Sequence, residues 1–250
     1  MKDNVLSILI HGASKVGKST LTSTAPLPLL VLDAEGSWKF IRRVGFEGKP
    51  LRKVHWDPLN EPPRYDGSWD VCVVSVNSWD VVRRVYAWLT QTEHDFVSVA
   101  LDSITELQRR LKQNISSDGM IKGYDGWGQL LVQMDNLIRS MRDLTIAPGP
   151  VRCVMFVAET REQSGKWRPF MQGQISTSLP YWVDICAYAY QTRAGDEDGN
   201  LTKKVVNLFI GQHDSFESGE RVAGLLPDNI VDPSISDMMA VIYPEQESVK

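Results

Sequence analysis

The stretch Val5-Leu-Ser-Ile-Leu-Ile10-His11-Gly12-Ala13-Ser14-Lys15-Val16-Gly17-Lys18-Ser19-Thr20 decides the fold. Its first half is a near-continuous apolar run, the form of a strand buried on both faces of a parallel sheet. Its second half carries Gly12-x-x-x-x-Gly17-Lys18-Ser19, a glycine-rich loop that opens a helix. Glycines let consecutive backbone N–H groups curl round a phosphate with no Cβ in the way. The helix N-terminus adds partial positive charge. Lys18 is placed to reach β- and γ-phosphates, and the Ser19 hydroxyl to ligate magnesium. The pattern implies that Gly12, Ala13, Ser14, Lys15, Val16, Gly17, Lys18, Ser19 and Thr20 surround ATP and Mg2+. An ordinary turn is the competing reading, and Lys15 has solvent as its alternative.

Outward from that stretch, short β-rich runs alternate with helical patterns, which predicts a parallel sheet with crossover helices. Strands are expected at residues 5–10, 29–33, 71–76, 96–102 and 151–158. Helices are expected at 18–24 (stopped by Pro26 and Pro28), 38–44, 79–89, 105–115 and 127–144. Residues 58–67 and 116–126 read as loops. Runs 185–192 and 203–210 flank a glycine-rich turn at 195–200 and predict an antiparallel hairpin. A short helix at 234–242 follows. The fold class is therefore α/β: a mostly parallel sheet flanked by helices, with a C-terminal antiparallel β-hairpin extension. We read one domain over 1–250, with the nucleotide-binding core at 1–158 and the extension and last helix at 159–250.

The net charge of −4 over 250 residues gives no general attraction for a polyanion. A nucleic-acid site has to be a local basic patch. Cys72, Cys153 and Cys186 sit in apolar runs without metal-ligand spacing, and read as core thiols of a reducing compartment. The four histidines are scattered as well. No apolar run is membrane-length, and the N-terminus reads as a first strand, not a signal peptide. A cytoplasmic protein with no membrane partner is expected.

Two acids complete the chemistry. The apolar run Phe96-Val-Ser-Val-Ala-Leu-Asp102 ends in a carboxylate at the sheet edge, suited to support magnesium or to cap the next helix. Leu29-Leu-Val-Leu-Asp33-Ala-Glu35-Gly36 places Glu35 one step beyond another strand, suited to polarise the attacking water. The alternative there is a capped turn supplied by Asp33 and Gly36.

The order phosphate loop, LLVLDAEG, VALDSITEL resembles the RecA-type P-loop core. The short helix before APLPLLVLDAEG, the motif Tyr124-Asp-Gly-Trp127-Gly and the LPDNI segment are similar to phage-encoded single-domain RecA-like ATPases of the Sak-type recombination group. That resemblance implies ATP hydrolysis, with Glu35 and Lys18 catalytic and Ser19 and Asp102 at the metal. It implies a γ-phosphate sensor at the end of the strand after Asp102, where Glu159 replaces the usual amide or histidine. It makes Arg221 a candidate to reach a neighbour's ATP, from a Lys-x-Arg pair of which Gly219-Glu220-Arg221 keeps only the arginine. The partners it implies are single-stranded DNA, further copies of the chain, and a single-strand-binding protein; in a phage setting the location is the host cytoplasm. Filament-forming relatives carry a linking segment ahead of the core, and none is expected before residue 5.

By the same resemblance, residues 116–126 and 160–174 line the DNA channel. The second loop holds Arg161, Lys166, Trp167 and Arg168, mixing cations for phosphates with a ring for a base. A solvated hairpin tip with its tryptophan in the core is the competing reading. The basic runs at 42–43, 83–84 and 109–112 read as solvated helix faces. Two other functions stay open: a P-loop nucleotide or small-molecule kinase, and a non-hydrolysing ATP-dependent protein-binding switch.

Overall fold

Alternate side chains of a buried strand point to opposite faces, so each face needs its own cover. The computed structural model, which describes residues 2–116, 120–121, 123–195 and 201–244, supplies that cover with helices on both sides. In chain order the first half comprises β1 (Leu6–Gly12), α1 (Lys18–Thr22), β2 (Leu29–Asp33), β3 (Lys53–His55), β4 (Val71–Ser75), α2 (Trp79–Gln91) and β5 (Ser98–Asp102). Next come α3 (Ile104–Ile115), α4 (Gly123–Asp143), β6 (Cys153–Gln163), β7 (Lys166–Pro169) and α5 (Ile175–Ser178). The chain continues with β8 (Ile185–Gly195), β9 (Leu201–Phe209), β10 (Gly219–Glu220), β11 (Asn229–Val231) and α6 (Ile235–Ile242).

The strands run β11-β9-β8-β1-β6-β5-β2-β4-β3 across one sheet. From β8 to β3 every pairing is parallel, and β9, β10 and β11 join antiparallel. The alternation is visible in β2 and β5. Leu30, Leu32, Val99 and Leu101 pack under α2, α3 and α4 with Val85, Leu107, Met134 and Ile138. Val31 and Ala100 face the other way, with Ile8, Ile10, Met155, Met238 and Ile242.

Several elements depart from the sequence expectations. The helix expected at 38–44 is a single 3-10 turn, Trp38–Phe40, because the backbone turns extended at Ile41 and residues 42–44 pair with 49–51 instead of continuing a helix. The short strand β3 was not expected. It is anchored by Arg52, whose backbone N–H and guanidinium both bond the buried carboxylate of Asp70 next to β4. Of the expected loop 116–126, residues 117–119 and 122 lie outside the described residues, and Gly123 already begins α4. The hairpin expected after residue 185 is present as β8 and β9, but β8 also enters the parallel sheet beside β1. The turn residues 196–200 lie outside the described residues.

The stretch 160–174 is also not a loop. Strand β6 runs on past the sheet and turns back into β7 through Ser164 and Gly165, both at positive φ. Two left-handed residues match the twist of a two-residue hairpin. On its other side Trp167 exchanges backbone hydrogen bonds with Ser215 and Glu217.

Candidate nucleotide site

The parallel register brings the carboxyl ends of β1, β2, β5 and β6 to one edge. Gly12 pairs with Glu159, and Asp102 lies level with Asp33 and Val157. Strand β6 stands between β1 and β5, so Asp102 reaches the phosphate loop across one intervening strand.

Gly12 has a packing reason as well as a chemical one. A Cβ there would stand 2.3 Å from the Ala189 carbonyl oxygen of β8. Gly17, which caps α1, has φ +104°, and a Cβ on it would stand 2.7 Å from the Phe46 ring. Gln191 of β8 donates to the Val16 carbonyl, so the late hairpin braces the loop. Ala13, Ser14 and Lys15 form its outer turn, Lys15 at φ +61°, and Ser19 and Thr20 lie in the first turn of α1. Lys18 donates to the Gly12 and Ala13 carbonyls at 2.9 and 2.8 Å. Burial holds its ammonium below the usual lysine range, while Asp102, Glu35 and Glu159 pull it back upward. Three carboxylates thus converge on one lysine.

Asp102 is buried, and desolvation lifts its pKa to about 6 against the opposing hydrogen bonds from Ser19 and Trp38. The Trp38 indole N–H donates to Asp102 Oδ2 at 2.8 Å. The cap of α3 is Ser103, whose hydroxyl accepts from the Glu106 amide, so Asp102 is not the capping residue. Ser103 also donates to Glu35 Oε1, which fixes that carboxylate beside Asp102. Turn chemistry is present too: Asp33 holds the Ser37 and Trp38 amides, and Gly36 sits at φ +69°. Asp33 and Glu35 therefore have separate tasks.

Among the described residues no group of three His, Cys, Asp or Glu side chains is arranged to hold a metal. One hydroxyl, Ser19, and one carboxylate, Asp102, face the same end of the loop, close enough for Ser19 to favour the charged form of Asp102. That sparse hard-oxygen set fits magnesium, which keeps several waters and takes the rest of its shell from phosphates.

Glu159 is tied to α3. Its two oxygens accept from Arg109 at 2.8 and 2.9 Å, and Glu106 holds the same guanidinium at 3.0 Å. The sequence reading placed Arg109 on a solvated face, which its 46 % exposure bears out, but did not foresee its pairing with Glu159. It also missed Trp38 and Phe46. For Trp38 a signal existed: a lone tryptophan in a polar turn three residues past Glu35.

The remaining candidates lie elsewhere. Arg221 follows β10, which pairs with the opening residues of β8, whereas Gly12 pairs with Ala189 further along that strand. Its guanidinium donates to the Tyr181 carbonyl, and it lines a groove of about 680 Å³ together with Lys166. On the β6–β7 hairpin, Arg168 and Lys166 meet Glu217 at 2.9 and 3.6 Å. Arg161 stacks on Phe170 at 3.6 Å, and Trp167 remains 41 % exposed, outside the core. Phe170 faces a second groove of about 630 Å³ that Trp127 of α4 also lines.

Among known protein families, the one described as AAA domain matches residues 4–228. No curated protein matches the chain.

Proposed function

The chain belongs to the AAA-domain family, and from that premise we propose that it binds ATP with magnesium, hydrolyses it, and uses the turnover on single-stranded DNA. The observation that carries the reading is the convergence of Lys18, Ser19, Asp102 and Glu35 at one sheet edge. Lys18 pairs with the β- and γ-phosphates, and loop amides supply further donors. Ser19 and Asp102 hold magnesium, which supplies charge neutralisation at the transferred phosphoryl group. Glu35 orients and deprotonates the attacking water, its carboxylate steadied by the Ser103 hydroxyl.

The DNA step is the RecA-like, Sak-type part of the reading, in recombination or annealing. It is supported by the β6–β7 hairpin, where Arg161, Lys166, Arg168 and Trp167 share a narrow ribbon. The test is ATP turnover with and without single-stranded DNA, in the wild type and in Glu35→Gln. Glu35→Gln should keep nucleotide binding and lose about two orders of magnitude in turnover, the scale of a lost general base. Stimulation by DNA supports the full reading. A phosphorylated small-molecule product would instead indicate a kinase, and a flat, negligible rate a binding switch.

A further inference from the structure

The strand next to the phosphate loop ends in an acid, where an anionic ligand would meet a like charge. Glu159 is the parallel partner of Gly12, so its carboxylate belongs to the edge that receives the far end of a triphosphate. Uncompensated, that carboxylate would repel a γ-phosphate and leave a diphosphate largely untouched.

Arg109 removes the conflict. Its guanidinium binds both Glu159 oxygens in the forked geometry that suits a carboxylate. The pair is substantially exposed, 46 % for Arg109 and 40 % for Glu159. Exposed ion pairs add little to stability, so fold maintenance does not account for it. The backbone around it is held by other groups. Thr105 accepts from the Glu159 amide and donates to the Phe170 carbonyl, and Gln108 bonds both the N–H and the carbonyl of Gln172. Thr105, Gln108 and Arg109 lie on one face of α3, at spacings of three and four residues. That helix begins at Ser103, beside Asp102 and Glu35.

We propose that Arg109 is a positioning residue that neutralises Glu159 and turns it toward α3, and so sets the preference of this site for nucleoside triphosphate over diphosphate. The inference rests on the nucleotide-binding reading above. It differs from direct contact with the phosphate, because the effect of Arg109 passes through Glu159 and should vanish when Glu159 carries no charge.

The experiment is calorimetric titration of a non-hydrolysable ATP analogue and of ADP, each with magnesium, into five proteins: wild type, Arg109→Ala, Arg109→Lys, Glu159→Gln, and the Arg109→Ala/Glu159→Gln double variant. Arg109→Ala should lose about tenfold in triphosphate affinity, the scale of one partly screened like-charge contact, with ADP affinity within about twofold. The double variant should regain the wild-type ratio. Arg109→Lys, which keeps the charge but not the fork, should fall between. Equal loss for both nucleotides, no loss at all, or no recovery in the double variant would each overturn the proposal. If the wild type binds neither nucleotide, the nucleotide-binding reading fails first, which separates the two outcomes. Thermal unfolding of each variant confirms that affinities are compared between folded proteins.

Discussion

His11, the residue before the phosphate loop, is completely buried. Its Nε2 lies 2.6 Å from the Glu217 carbonyl, which can only accept, so the proton sits on Nε2. Nδ1 then faces the Thr160 hydroxyl at 3.2 Å, and the ring leans on Tyr188. Burial, with Lys18 nearby, lowers its pKa to about 4. An unfolded chain protonates this ring near pH 6.5, whereas the folded protein keeps it neutral. The stabilising contribution is therefore whole above pH 6.5 and is lost as pH falls from 6.5 toward 4. The shift corresponds to on the order of 3 kcal/mol. Urea unfolding at pH 7 and at pH 4.5 should show the wild type losing more stability on acidification than His11→Gln, since Asp102, whose buried carboxyl is raised to about 6, gains stability over the same range in both proteins. An identical pH slope in the variant would assign the acid sensitivity to another group. Nothing in the spacing of the histidines foretold this arrangement, since its partners come from residues 160 and 217. The loop residues Gly12 to Ser19, by contrast, were legible because their chemistry is local.

The seam between β1 and β8 is as tight as a sheet allows, and Gly12 is where it closes. Gly12→Ala should force the two strands apart or tilt the loop, costing roughly 1–3 kcal/mol as overpacking does. Chemical denaturation measures the loss, and nucleotide affinity should fall with it, because the displaced backbone opens the loop. An unchanged midpoint would show that β8 yields easily. Two elements with strong periodicity were readable to within a residue or two: β2 coincides with residues 29–33, and α2 covers all of 79–89 and runs on to Gln91. What failed did so where pairing elsewhere overrode the local pattern. Backbone pairing of residues 42–44 with 49–51 cut an expected helix to one 3-10 turn. The hairpin tip held as the competing reading for 160–174 is present and turns at Ser164-Gly165, but its tryptophan stays outside the core. Arg109 was hidden for a related reason: only the fold shows that the outer face of α3 lies against the end of β6.

Across the whole molecule the charge balance is acidic, so any hold on DNA has to come from a local basic patch, which on the proposed reading is the hairpin, and should weaken steeply with salt. Lys166 and Arg168 are engaged with Glu217, and DNA phosphates have to displace that carboxylate. Changing both cations to alanine should lower single-strand affinity and flatten the salt dependence by about one unit of slope per lost phosphate contact. Trp167→Ala should lower affinity by the roughly 1–3 kcal/mol of a base stack and leave the slope alone. Fluorescence anisotropy with a labelled oligonucleotide across a salt series distinguishes these; wild-type curves in both variants would remove the hairpin from the DNA site. At this scale the mostly parallel α/β class was legible, because alternating element types dictate it. The strand order was not, because neighbours in the sheet are far apart in the chain. Strand β1 is the clearest case: both its flanking strands, β6 and β8, come from beyond residue 150. During synthesis β1 therefore has no sheet partner until more than 140 further residues have been made. The loop likewise gains its brace, the Gln191 bond to the Val16 carbonyl, only when β8 joins the sheet.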